Sequence, residues 1–252
     1  MSADPLAPLM DLPGVAAASD RAREALSRAH RHRANLRGWP VSAAEAAMRA
    51  AQASSVLDGG SSKPEDPPEG PGTGTTVLAG ALRVAQALEG GETSLVGVWR
   101  RAPLQALARL HMLAAAGQVD EDRLGRPRPD AHVGPRLELL ADLATGATRV
   151  PAPVLAAVAH GELLTLAPFG SADGVVARAV SRLVSIASGL DPHGLGVPEV
   201  SWMHRAADYR AAARDFATGS PEGLTTWLLL CCRAMQAGAQ EALRIAESLP
   251  NR

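Results

Sequence analysis

Apolar residues recur at spacings of three and four along almost the whole of this 252-residue chain, the repeat of an amphipathic helix rather than of a strand. The pattern runs through 22–37, 42–54, 76–88, 104–116, 137–143, 151–166, 174–188, 201–217 and 223–248, and predicts an all-α bundle of about nine helices. Ser42, with Glu45 three residues on, has the capping-box spacing of a helix start. Hydrophobic residues make up 46% of the chain and aromatic residues only 3%. The core must therefore be filled by Leu, Val and Ala, whose small volumes suit closely approaching helices. Residues 125–134 (GRPRPDAHVG) cluster turn formers around a short extended stretch, which predicts a small β-hairpin flap.

The stretch 59–74 (GGSSKPEDPPEGPGTG) holds no Val, Ile, Leu or aromatic residue. It cannot offset its ordering entropy by burial and is expected to be a disordered loop inside one domain spanning 15–248. Residues 1–14 are expected to be a flexible N-terminus. Lys+Arg 25 against Asp+Glu 26 gives a formal charge of −1, which disfavours nucleic acid as a partner. Met1 to Pro5 places an acid and a proline where a secretory signal needs a basic stretch leading into an apolar run. The longest apolar run, 227–232, falls far short of a membrane span, so no membrane partner is expected and the location is read as cytoplasmic. The two cysteines, Cys231 and Cys232, are adjacent and lack disulfide-framework or metal-ligand spacing. Nor do His193 and His204 have a credible third ligand, and no metal site is predicted. His30-Arg31-His32-Arg33 reads as a solvated basic face.

The informative segment is 159–178 (AHGELLTLAPFGSADGVVAR). It reads as helix, tight loop, helix, with Pro168, Gly170 and Gly174 breaking the repeat. In the second helix Val176, Val180, Leu183, Val184 and Ala187 form an apolar stripe, with Arg178, Arg182 and Ser185 pointing elsewhere. The loop then abuts a helix N-terminus, where free N–H groups and the helix dipole favour an anion.

These residues resemble the Fic (fido) family, whose signature H-P-F-x-D-G-N-G-R-x-x-R lies between two helices. The stretch 167–178 has the same twelve-position length, and Pro168, Phe169, Gly174 and Arg178 match it. His160 stands where the family commonly places a histidine seven residues before the catalytic one. Ser54-Ser55-Val56-Leu57-Asp58-Gly59 is similar to the family's inhibitory S-x-x-x-E-G helix, with Asp58 in place of Glu. The resemblance extends over about residues 15–248, taking in the helices of Tyr209 and Trp227, and implies a Fic-like helical bundle.

It also implies a chemistry, the transfer of AMP from ATP to a protein hydroxyl. In the family the motif His takes the hydroxyl proton, the acid holds Mg²⁺, the Gly-Asn-Gly amides cradle phosphates and the first Arg neutralises the leaving group. Here Ala167 occupies the base position, Ser171 the acid position, Ala172 and Asp173 the Gly-Asn positions, and Val175 that of the first Arg. No catalytic residue is therefore assigned. Loss of the base alone forfeits about 10²–10⁴ in rate. The expectation is a catalytically impaired pseudoenzyme acting as a regulatory or protein-interaction module for an unknown protein partner. No cofactor is expected, and ATP with Mg²⁺ enters only with residual activity, Gly174 and Arg178 being the nucleotide-binding candidates. The alternatives are a weak AMP transferase and an unrelated helical scaffold. Arg178 corresponds to the second motif Arg, which in inhibited family members pairs with the inhibitory acid, so an Asp58–Arg178 bridge is expected. Asp173 is read as the N-cap of the helix that follows it, and His160 as a packing histidine.

Overall fold

The computed structural model describes residues 4–63, 73–89 and 95–248. Eleven α-helices run through these residues: α1 Val15–Arg31, α2 Asn35–Leu57, α3 Thr73–Leu88, α4 Leu95–Arg101, α5 Pro103–Ala115, α6 Val133–Asp142, α7 Ala152–Leu166, α8 Asp173–Ala187, α9 Pro198–His204, α10 Ala206–Ala217 and α11 Pro221–Ser248. Two short 3₁₀ turns, Ala7–Asp11 and Glu121–Arg123, and one turn of π-helix, Leu143–Ala147, complete the order.

Helix α8 is the axis of the bundle. Every residue from Val175 to Ser185 is buried, as expected of a helix surrounded on all sides. This corrects the expectation of a one-sided stripe, since Arg178 and Arg182 are buried together with the valines. Helix α7 packs beside it through Ala156, Ala159 and Leu163, and α4, α5 and α6 close the far side with Trp99, Leu107, Leu110 and Leu140. The 28-residue α11 lies across α1, α2, α7, α9 and α10. Its Trp227 joins Trp202, Tyr209, Phe216 and His160 in an aromatic cluster.

Ser42 is not a cap. It is buried in the interior of α2, and the helix runs through Pro40. The N–H that proline lacks would have bonded to the carbonyl of Leu36, an exposed residue, so the missing bond falls at the surface and not in the core. The expected hairpin is also absent. Among the described residues no strand forms, and the one bridge joins Ala116 to Val119. Arg128 instead donates its backbone N–H to the Pro168 carbonyl, which takes the segment into a contact with the motif loop rather than with itself. From Asp4 onward the N-terminus is packed: Leu6, Leu9, Met10 and Leu12 rest on the Trp227 cluster. The Asp4 carboxylate accepts N–H from Leu6 and Arg149 and the Thr148 hydroxyl. The loop expected at 59–74 lies outside the described residues from 64 to 72, and α3 begins at Thr73.

Candidate functional site

The site is assembled where the C-terminal end of α2, the N-terminal end of α8 and the loop before α8 meet. Helix α2 ends at Leu57, and Gly59 takes a left-handed φ of 81°, a conformation open to glycine. That stop leaves Asp58 facing α8. Its Oδ2 accepts the backbone N–H of Val175 at 3.0 Å and its Oδ1 accepts Arg178 Nη2 at 2.7 Å. A Cβ on Gly174 would lie within 2.6 Å of Asp58 Oδ2. The matched glycine is thus what allows a carboxylate, rather than a phosphate, to fill the helix N-terminus.

Arg178 is buried and makes four hydrogen bonds. Its Nε donates to Ser54 Oγ at 2.8 Å, Nη2 also to the Ser54 carbonyl at 3.0 Å, and Nη1 to Tyr209 Oη at 3.4 Å. Burial works against the guanidinium charge, yet Asp58 and Tyr209 hold its pKa above the ordinary value. Ser54, Asp58 and Arg178 come together as the sequence suggests, one turn of α2 supplying both Ser54 and Asp58. His160 is buried with Nε2 2.8 Å from Tyr209 Oη. Burial, with Arg178 nearby, pushes its pKa well below the usual imidazole range and keeps the ring neutral. Burial likewise raises Tyr209 to about 12, so this end of the network is Arg178, a phenol and a neutral imidazole.

The motif loop joins α7 to α8 with Phe169 buried. Both ends of the loop carry an alanine in the left-handed region, Ala167 at φ 44° and Ala172 at φ 52°. A β-carbon makes that conformation cost about 1–2 kcal/mol per residue, so the loop holds a strained position at each end. Asp173 does not cap α8. Ala172 is the N-cap residue, and the Asp173 carboxylate turns back to accept the Phe169 N–H at 2.9 Å. Burial raises its pKa to about 6, against the pull of that hydrogen bond.

Two residues that sequence reasoning passed over hold the loop from outside. His111 on α5 is buried and stacks on Phe169 with ring centroids 4.1 Å apart and planes 4° apart. Its Nδ1 accepts the Gly125 N–H at 2.9 Å, which leaves Nε2 to donate to Ser171 Oγ at 3.1 Å. Arg128 donates Nε to the Ala167 carbonyl at 2.8 Å and Nη2 to that of Leu166 at 3.0 Å. A lone His on α5 and an Arg in a turn-rich stretch carry no local pattern that points to position 167.

The donor set does not fit a magnesium nucleotide. The Val175 N–H and Arg178 are occupied by Asp58, position 171 has a neutral hydroxyl bonded to His111, and Ala167 has no proton acceptor. Among the described residues no group of three or more His, Cys, Asp or Glu side chains is arranged to hold a metal. The thiols of Cys231 and Cys232 are free and buried. The basic run is only partly a solvated face, because His30 bonds through Nε2 to Asp191 Oδ1 at 2.7 Å and ties α1 to the loop after α8. No described helix is long and apolar enough to cross a membrane.

The geometry defines an all-helical, Fic-like fold, and comparison with solved structures bears this out. The chain superposes on a Fic family protein from Desulfovibrio desulfuricans with a TM-score of 0.72 and 17% sequence identity, covering 95% of this chain and 77% of that one. No protein-family model matches the sequence, and no curated protein does.

Proposed function

We propose that the chain is a Fic-family protein with a degenerate catalytic motif, a cytoplasmic pseudoenzyme that serves as a regulatory or protein-interaction module. The observation that carries this reading is the Asp58 carboxylate held on the Val175 N–H and on Arg178. The anion-binding end of α8 is satisfied from within the chain. With Ala167, Ser171 and Val175 at the positions for base, metal ligand and first Arg, the groups that would act on a bound nucleotide are also missing. Any residual nucleotide affinity requires Asp58 to leave the cradle. Balanced charge disfavours nucleic acid, and a protein is the partner this reading calls for.

Incubation with labelled ATP and Mg²⁺ is expected to show no transfer to the chain itself or to lysate proteins. Ala167→His alone is expected to leave it inactive, because position 171 still lacks a carboxylate and position 175 a charge. Thermal shifts with ATP, ADP and AMP, each with and without Mg²⁺, are expected to be absent for the native chain. Robust labelling would replace this reading with weak AMP transfer to a protein hydroxyl.

A further inference from the structure

Helix α2 carries Asp58 at one end and, along its first half, an apolar surface that the rest of the fold leaves bare. Leu36 is 65% exposed, Val41 57%, Met48 46% and Trp39 37%, so most of the large exposed hydrophobic side chains lie on one helix. Leu36, Pro40, Ala44 and Met48 are all exposed and four residues apart. They form a single i±4 ridge that is large at both ends and small in the middle. Isolated exposed apolar residues need no explanation, but a continuous ridge marks an interface.

We infer that this ridge is a self-association surface, and that its occupant is the α2 helix of a second copy of this chain, crossing antiparallel about a two-fold axis midway between Pro40 and Ala44. Two features favour a second copy. First, the ridge is symmetric about that midpoint: Pro40 and Ala44 lie two residues to either side, and Leu36 and Met48 lie six. Two copies can therefore cross closely at the small residues while the Leu36 of each meets the Met48 of the other.

Second, the charges are reciprocal. Arg37, exposed on the flank of the ridge, makes no ion pair among the described residues. Glu45 uses Oε1 to accept Arg49 Nε at 2.7 Å and leaves Oε2 without a partner. In the antiparallel crossing Arg37 falls opposite Ala47, two residues or ~3 Å along the axis from Glu45, within reach of the free oxygen. The two-fold axis forms that pair twice, as an isologous interface requires. One helix crossing with its flanks lies toward the small end of specific interfaces, which makes the dimer a reversible one.

Sedimentation equilibrium of the full chain over a concentration series tests this, independently of anything the motif does. A monomer–dimer equilibrium is expected, with Leu36→Glu combined with Met48→Glu weakening it by about tenfold or more. Unchanged far-ultraviolet circular dichroism would show that the exposed substitutions leave the fold intact. Arg37→Glu and Glu45→Arg should each weaken association and together restore it. A single monomeric mass at every concentration would overturn the inference. So would a dimer indifferent to the ridge substitutions, or a charge-swapped pair that fails to recover.

Discussion

At the residue scale, the balance at Arg178 is between a buried guanidinium and the single carboxylate that neutralises it. The Arg178 side chain is 2% exposed, whereas that of Asp58 is 23% exposed, so the two are not equivalent when orphaned. Asp58→Ala strands a charge in the interior and is expected to cost about 3–5 kcal/mol. Arg178→Met keeps the volume and leaves Asp58 free to reach water, so it should cost less. In the double variant the cost is expected to fall well below the sum. Denaturant midpoints in a double-mutant cycle read the coupling, and additive effects would mean that no energetic bridge exists. Asp173 has the opposite sign. Its pKa is raised to about 6 by burial, so the folded chain binds a proton that the unfolded chain has lost. Stability therefore falls as pH rises from ~4 to ~6 and stays lowered above that window. Asp173→Asn keeps the acceptor for the Phe169 N–H and removes the charge. It should stabilise by about 1–2 kcal/mol at pH 7, after allowing for partial solvent screening, and by almost nothing below pH ~4. A gain that did not vary with pH would contradict the assignment.

At the element scale, the contact of α2 with α8 depends on one missing β-carbon. Gly174→Ala would bring a methyl group against both carboxylate oxygens of Asp58, and Asp58 has a solvent route by which to leave. The expected outcome is loss of the Val175 and Arg178 bonds at a cost of about 1–3 kcal/mol. Hydrogen exchange at the Val175 amide should accelerate while amides in the middle of α8 stay protected. Unchanged exchange at Val175 would show that Asp58 is not what protects it. The helix ends show where periodicity misleads. The repeat over 201–217 reads as one helix, yet the chain breaks at Arg205 into α9 and α10. The repeat also misses α4, which is too short to declare itself. Asp173 has the composition of an N-cap and not the geometry, because Ala172 in the left-handed region turns the carboxylate toward the loop instead.

At the scale of the whole molecule, the bundle closes through glycines and alanines that let backbones touch. A Cβ on Gly238 of α11 would come within 2.6 Å of the Pro198 nitrogen, and one on Gly161 of α7 within 2.7 Å of the Trp227 indole nitrogen. With only 3% aromatic residues, close backbone approach at these glycines helps the bundle reach native packing density.

The sequence by itself determined the helical class, the loop between α7 and α8, and the alanine at 167 and serine at 171; the pairing of Asp58 with Arg178 is expected only through the motif resemblance. Each of these rests on residue identity at a local spacing, or on a motif of fixed length. Tertiary structure alone decided that α8 is enclosed on every side, that His111 and Arg128 grip the motif loop, and that residues 125–134 meet that loop instead of pairing as a hairpin. It also decided which face of α2 stays bare. These outcomes depend on contacts between residues distant in the chain, such as Arg128 with Ala167 and His111 with Ser171. Hydrophobic periodicity says which residues seek burial but not which partner buries them.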